Sequence, residues 1–187
     1  MVRKEIRIAG FGGQGIITSA KIIGKAAGIY ANKESCVMEV YGPESRGGAA
    51  SGTIVVGDDK TDTDYPYVTN PEFQIMMSQA AYLKYKYEIT PETTLIVDES
   101  LVTLDEDLKV KKIMQIPATR FAEEMGKRIV ANVIMLGYVA SVTNIVPPEA
   151  MKEAILKTVK KQFVALNDKA FDKGFNFGEK MKKEGKN

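Results

Sequence analysis

Four glycines fall within six residues in Gly10-Phe11-Gly12-Gly13-Gln14-Gly15, directly after the apolar run Ile6-Arg7-Ile8-Ala9 and directly before a helix-like pattern at Ile16, Ile17, Ala20, Ile22 and Ile23. A strand, a glycine turn and a helix in that order let backbone N–H groups approach an anion with no side chain in the way. The helix N-terminus adds a partial positive charge. The spacing Gly10-x-Gly12-x-x-Gly15 also fits the dinucleotide fingerprint, with Glu39 near the end of the second strand as the acidic residue expected to reach a ribose hydroxyl. Gly13-Gln14 stands where such domains carry small or apolar residues. Three readings stay open at this point: NAD or FAD, another phosphate-bearing cofactor, or a tight structural turn.

A second loop, Tyr41-Gly42-Pro43-Glu44-Ser45-Arg46-Gly47-Gly48-Ala49-Ala50-Ser51-Gly52, sets Arg46 among glycines and small residues. A guanidinium so placed reaches a phosphate, a carboxylate or a partner chain with little obstruction, whereas a surface loop with a local Glu44–Arg46 pair is the plainer alternative. Asn132 opens an apolar helix and reads as its N-cap. Tyr82, Tyr85 and Tyr87 beside Lys84 and Lys86 suit core packing better than stacking on a base, and Met76, Met77 and Cys36 suit the core.

The elements that must hold these residues follow the alternation of a layered α/β fold. Strands are expected at Glu5–Ala9, Cys36–Val40, Thr53–Val56, Phe73–Met77, Thr94–Asp98 and Lys112–Ile116. Helices are expected at Gln14–Tyr30, Gln79–Tyr87, Ala118–Met125, Asn132–Val142 and, opened by Pro147 and Pro148, Glu149–Phe163 as the last. This predicts one three-layer domain over residues 1–178, with a mixed or mostly parallel sheet and a Rossmann-like first strand–turn–helix, followed by a basic, frayed tail at 179–187.

Composition excludes several chemistries. The chain has 187 residues, 44% of them hydrophobic, with a net charge of +2, too little to draw nucleic acid by bulk attraction. With one cysteine and no histidine it cannot by itself hold a Cys/His zinc site or an iron–sulfur cluster, or build a Ser-His-Asp or Cys-His mechanism. No metal ligands and no catalytic residues are assigned. No apolar run nears the ~18 residues of a membrane span, and no signal-type segment opens the chain, so a cytoplasmic protein is expected.

Taken together, Ala9-Gly10-Phe11-Gly12-Gly13-Gln14-Gly15 and Tyr41-Gly42-Pro43-Glu44-Ser45-Arg46-Gly47-Gly48 resemble the gamma subunit of 2-oxoacid:ferredoxin oxidoreductases, equivalent to the third domain of single-chain pyruvate:ferredoxin oxidoreductases. The resemblance continues through Asn70-Pro71-Glu72, Met77-Ser78-Gln79, Val97-Asp98 and Asn132-x-x-Met135-Leu136-Gly137, nearly the whole chain. The second loop is similar to the 2-oxoglutarate branch; 2-oxoisovalerate and indolepyruvate enzymes are the alternatives within the family, and a stand-alone nucleotide-binding oxidoreductase the alternative outside it.

The resemblance implies a complex that decarboxylates a 2-oxoacid with CoA to acyl-CoA, CO2 and reduced ferredoxin. Thiamine diphosphate and iron–sulfur clusters would reside in alpha, beta and ferredoxin-like partner subunits, with ferredoxin met only indirectly. This chain would hold no tight cofactor, serve the CoA side and the assembly, and be inactive alone, where it would dimerise through surfaces its partners normally cover. Its binding residues would be Gly10, Gly12, Gly13, Gln14, Gly15, Glu44, Arg46 and Gly47.

Overall fold

The computed structural model describes residues 3–41 and 49–185. Six strands form one sheet: β1 (Lys4–Phe11), β2 (Glu34–Tyr41), β3 (Ala49–Gly57), β4 (Phe73–Met76), β5 (Thr94–Asp98) and β6 (Lys112–Ile116), in the order β2-β3-β1-β4-β5-β6. β4, β5 and β6 extend β1 in parallel, and β3 alone runs antiparallel to its neighbours β1 and β2. A mixed sheet in an α/β fold is therefore the observed class.

The strand order departs from a dinucleotide domain in one respect. There the second strand lies beside the first; here β3 is inserted between them. Glu39 is thereby moved a strand away from the glycine turn, and its carboxylate meets Lys21 Nζ at 2.7 Å. The strand–turn–helix is present, but the sheet around it is not that of the fingerprint.

Helix α1 (Ile16–Lys25) leaves the glycine turn and continues as a wider π turn through Tyr30, and α2 is Gln79–Tyr85. The remaining helices are α3 (Ala118–Glu124), α4 (Ala131–Val142), α5 (Pro148–Thr158) and α6 (Val164–Lys183). Strand alternation separates two cores. Ala9, Met76, Leu95 and Val97 meet Tyr82 and Tyr85 of α2 on one face. Ile6, Ile8, Ile54, Ile75 and Ile96 meet α1, α3, α4, α5 and α6 on the other. α4 is apolar all round and buried from Ala131 to Ser141.

Two expectations are corrected. Ala49–Gly52 is not loop but the start of β3: a Cβ on Gly52 would collide with the Ala20 Cβ of α1, and the Ser51 hydroxyl lies 2.8 Å from the Tyr85 hydroxyl. The small residues let the helices on either face sit close. The helix at Pro148 is also not the last. It stops at Thr158, and the twenty-residue α6 follows, carrying the basic stretch expected to fray as helix through Lys183.

Tyr138 on α4 is 0% exposed, and burial pushes its phenol up to about 12 from an ordinary 10.0. The unfolded chain ionises this group first. Its contribution is therefore present below pH 10 and lost as pH rises toward about 12. Urea midpoints should fall through that window, and less steeply in Tyr138→Phe; parallel curves for the two proteins would refute this.

Candidate functional site at the glycine turn

The turn sits at the carboxyl end of β1, where the chain's crossovers diverge: α1 leads toward β2 at one edge, while β4, β5 and β6 follow on the other side. In open α/β sheets the crevice at such a point ordinarily receives the ligand. Here the Gln14 side chain occupies it. Phe11 N–H donates to Gln14 Oε1 at 2.6 Å, and Gln14 Nε2 donates to the Met77 carbonyl at 2.9 Å, joining the ends of β1 and β4. Gly10 is required by this packing, since a Cβ there would lie 2.5 Å from Gln14 Oε1 and 2.6 Å from Ile16 Cδ1.

Gly15 is taken up internally as well. It caps α1 in the left-handed region, φ 75°, where glycine alone is unstrained, and a Cβ would lie 2.5 Å from Asn132 Nδ2. Asn132 is not the N-cap of α4, because that helix starts one residue earlier. From its first turn the buried amide reaches back to Ser19 Oγ at 3.3 Å and, more weakly, to the Gly15 carbonyl at 3.5 Å. Spacing alone could not reveal this role; the pattern Asn132-x-x-Met135-Leu136-Gly137 was the sequence signal that the position mattered.

Gly12 and Gly13 are exposed, and a Cβ on Gly13 would meet nothing within 4 Å. The N-cap of α1 is Gly15, which has no side chain to cap the helix, so among the described residues no cap side chain accepts from its first N–H groups. Beside them lies a cleft of about 570 Å³ between α1, the start of α4 and the α5–α6 connection. Gly13, Gly15, Thr18 and Asn132 line one part of it, Lys127 and Lys160 another, and apolar side chains including Ile22, Val133, Phe163 and Leu166 the rest. Sequence reasoning missed it because its walls come from segments more than a hundred residues apart.

The other candidates separate. Glu44, Arg46 and Gly47 lie outside the described residues. Tyr82 is buried, accepting the Asp105 N–H at 3.1 Å; Tyr85 is buried beneath the Arg7 guanidinium, 4.4 Å from the ring centroid; Tyr87 is 85% exposed. Met76 and Met77 are core residues and Cys36 is half-buried. Among the described residues no three His, Cys, Asp or Glu side chains are grouped to hold a metal ion, and no helix is long and apolar enough to cross a membrane.

Residues 5–177 match the pyruvate ferredoxin/flavodoxin oxidoreductase family. The chain belongs to that family. It is 44% identical over 182 residues to the 2-oxoglutarate synthase subunit KorC of Methanocaldococcus jannaschii, covering 96% of both chains. Its fold is similar to the gamma subunit of a keto/oxoacid ferredoxin oxidoreductase from Geobacter sulfurreducens, at TM-score 0.82 and 32% identity, covering 95% of this chain and 99% of that one. It is also similar to part of the 2-oxoglutarate:ferredoxin oxidoreductase of Magnetococcus marinus, solved with 2-oxoglutarate, coenzyme A and succinyl-CoA bound. That likeness has TM-score 0.83 and 25% identity, over 96% of this chain and 32% of the longer one. The chain is thus a gamma subunit of the 2-oxoacid:ferredoxin oxidoreductase family.

Proposed function

We propose that this gamma subunit serves a 2-oxoglutarate:ferredoxin oxidoreductase, on the CoA side of the reaction and in holding the complex together. The carrying observation is the end-to-end likeness to a 2-oxoglutarate synthase subunit, 44% over 182 residues. The loop Tyr41-Gly42-Pro43-Glu44-Ser45-Arg46-Gly47-Gly48 supports the same branch. A lone thiol and the want of a carboxylate cluster among the described residues do not fit an iron–sulfur cluster or a metal-anchored diphosphate cofactor. The family resemblance implies that electron transfer and thiamine chemistry would reside in alpha, beta and ferredoxin-like partners.

What this chain offers is binding and position. Backbone at Gly12 and Gly13 and the start of α1 offer N–H groups suited to phosphate, and Arg46, outside the described residues, is the charge its loop's sequence would add. Gln14 stiffens that surface by tying it to two strands. No acid, base or nucleophile is assigned to the chain.

Arg46→Ala in the assembled enzyme tests this. The expected result is a CoA KM raised about tenfold, the worth of one charge-assisted contact at ~1.4 kcal/mol, or loss of subunits during purification. Unchanged CoA dependence together with unchanged copurification would remove Arg46 from the site. Activity with 2-oxoglutarate no greater than with pyruvate or 2-oxoisovalerate would overturn the substrate branch.

A further inference from the structure

β2 is an edge strand without the usual protection. It pairs with β3 over eight residues in an unbroken register, from Glu34 opposite Gly57 to Tyr41 opposite Ala50. Among the described residues no backbone hydrogen bond joins it to anything else. It contains no lysine, no proline and no bulge. Natural sheets blunt a free edge with such devices, because a row of unpaired N–H and C=O groups recruits another strand. The opposite edge has them: β6 is five residues long, begins with Lys112 and follows Lys109 and Lys111.

The side chains beside β2 indicate which strand fits. Ser35, Val37 and Glu39 face α1: the Ser35 hydroxyl donates to the Gly24 carbonyl at 2.9 Å, Val37 packs against the core, and Glu39 meets Lys21 at 2.7 Å. Lys25, one turn beyond Lys21, is exposed and shares a groove of about 400 Å³ with Ser35, Val37 and the 66% exposed Ile29. Its ammonium donates to the Thr158 hydroxyl at 3.3 Å and pairs with no carboxylate among the described residues. The occupant of this edge should bring an apolar residue to Val37 and, two positions along, a carboxylate to Lys25. β2 itself carries that pattern in Val37 and Glu39.

We propose that two copies of this chain join in solution through β2, antiparallel about a two-fold axis at Val37, into one continuous sheet. Val37 then lies opposite its partner's Val37, and Glu39 opposite its partner's Ser35, the groove neighbour of Lys25. Each carboxylate has two oxygens and can hold its own Lys21 and the partner's Lys25 together. An axis at Met38 would instead lay Glu39 against the apolar Val37. A two-fold interface must be self-complementary, and this register is so in both shape and charge. The proposal is independent of the CoA reading.

Sedimentation equilibrium of the full-length chain tests it. The mass should rise with concentration from the 20.6 kDa of one chain to twice that value. Val40→Glu sets a carboxylate opposite the partner's Glu34, and Lys25→Glu sets one beside the partner's Glu39. Each should raise the dissociation constant about tenfold, since every substitution enters the interface twice. Lys25→Glu/Glu39→Lys should recover most of that loss. Val40 is 40% exposed and Lys25 is exposed, so melting of the dilute monomer should stay unchanged. A mass that remains that of one chain up to millimolar concentration would overturn the pairing. A dimer indifferent to Val40→Glu would place the interface elsewhere, and one weakened by Val40→Glu but not by Lys25→Glu would overturn the register. A chain that stays monomeric until other subunits are added, its β2 amides then becoming protected from exchange, would give the edge to a partner subunit's strand and overturn the second copy.

Discussion

Gly174→Ala is expected to destabilise the chain by about 3 kcal/mol, the scale of an overpacked core. Gly174 lies in α6 where that helix crosses α4, and a Cβ there would run into the Ile134 carbonyl oxygen. The contact is reciprocal: a Cβ on Gly137 of α4 would run into the Phe171 carbonyl, and one on Gly178 into the Ser141 hydroxyl. Backbone carbonyls in the middle of helices cannot swing aside as a side-chain tip can, so the added methyl must push the helices apart. Separation would loosen Phe171 and Tyr138, which are 3% and 0% exposed, and the edge-on contact of Phe121 with Phe177. The sign is diagnostic. In an exposed helix interior the same change gains roughly 1 kcal/mol through propensity. A Gly174→Ala protein with an unchanged or raised denaturation midpoint would show that the helices do not cross this closely.

The second large effect concerns Asp98, at the end of β5 and 0% exposed. Its Oδ2 accepts the Thr119 N–H at 2.9 Å and the Thr119 hydroxyl at 2.6 Å, and its Oδ1 accepts the Ser100 N–H at 3.1 Å. One carboxylate thus satisfies the open first turn of α3 and closes the turn leaving the strand. Asp98→Ala leaves three donors without an acceptor, two of them on Thr119, and should cost about 2–4 kcal/mol. Asp98→Asn keeps the shape and one good acceptor and should recover part of that loss. Equilibrium unfolding of the two variants beside the parent decides it; equal stability of Asp98→Ala and the parent would mean that water replaces the carboxylate without penalty.

These two sites differ in how far the sequence disclosed them. β5 and β6 lie at the residues expected, Thr94–Asp98 and Lys112–Ile116, since each is a short apolar run whose ends are marked by local turn chemistry. α6 is hidden in the local sequence for the opposite reason. Gly174 and Gly178 are poor helix formers by local propensity, and their purpose appears only when α4 lies across them. The small residues of Ala49–Gly52 read locally as a loop on the same ground, although they make the sheet surface on which α1 rests.

At the glycine turn, local sequence was enough to establish strand, turn and helix, because positive φ at Gly13 and Gly15 and the pattern of α1 are properties of neighbouring residues. The paired glycine-rich segments were enough to indicate the family. Which backbone groups remain open to a ligand was a tertiary matter. Gln14 is spent on Met77, 63 positions away, and Gly15 on Asn132, 117 positions away. The insertion of β3 between β1 and β2 likewise removes Glu39 from the turn, and no local pattern encodes the order of strands. Chain-local conformational preferences therefore determined the elements and their signature. Contacts between distant segments, formed only when the two cores close, decided which glycines pack and which face outward, and made the cleft beside them.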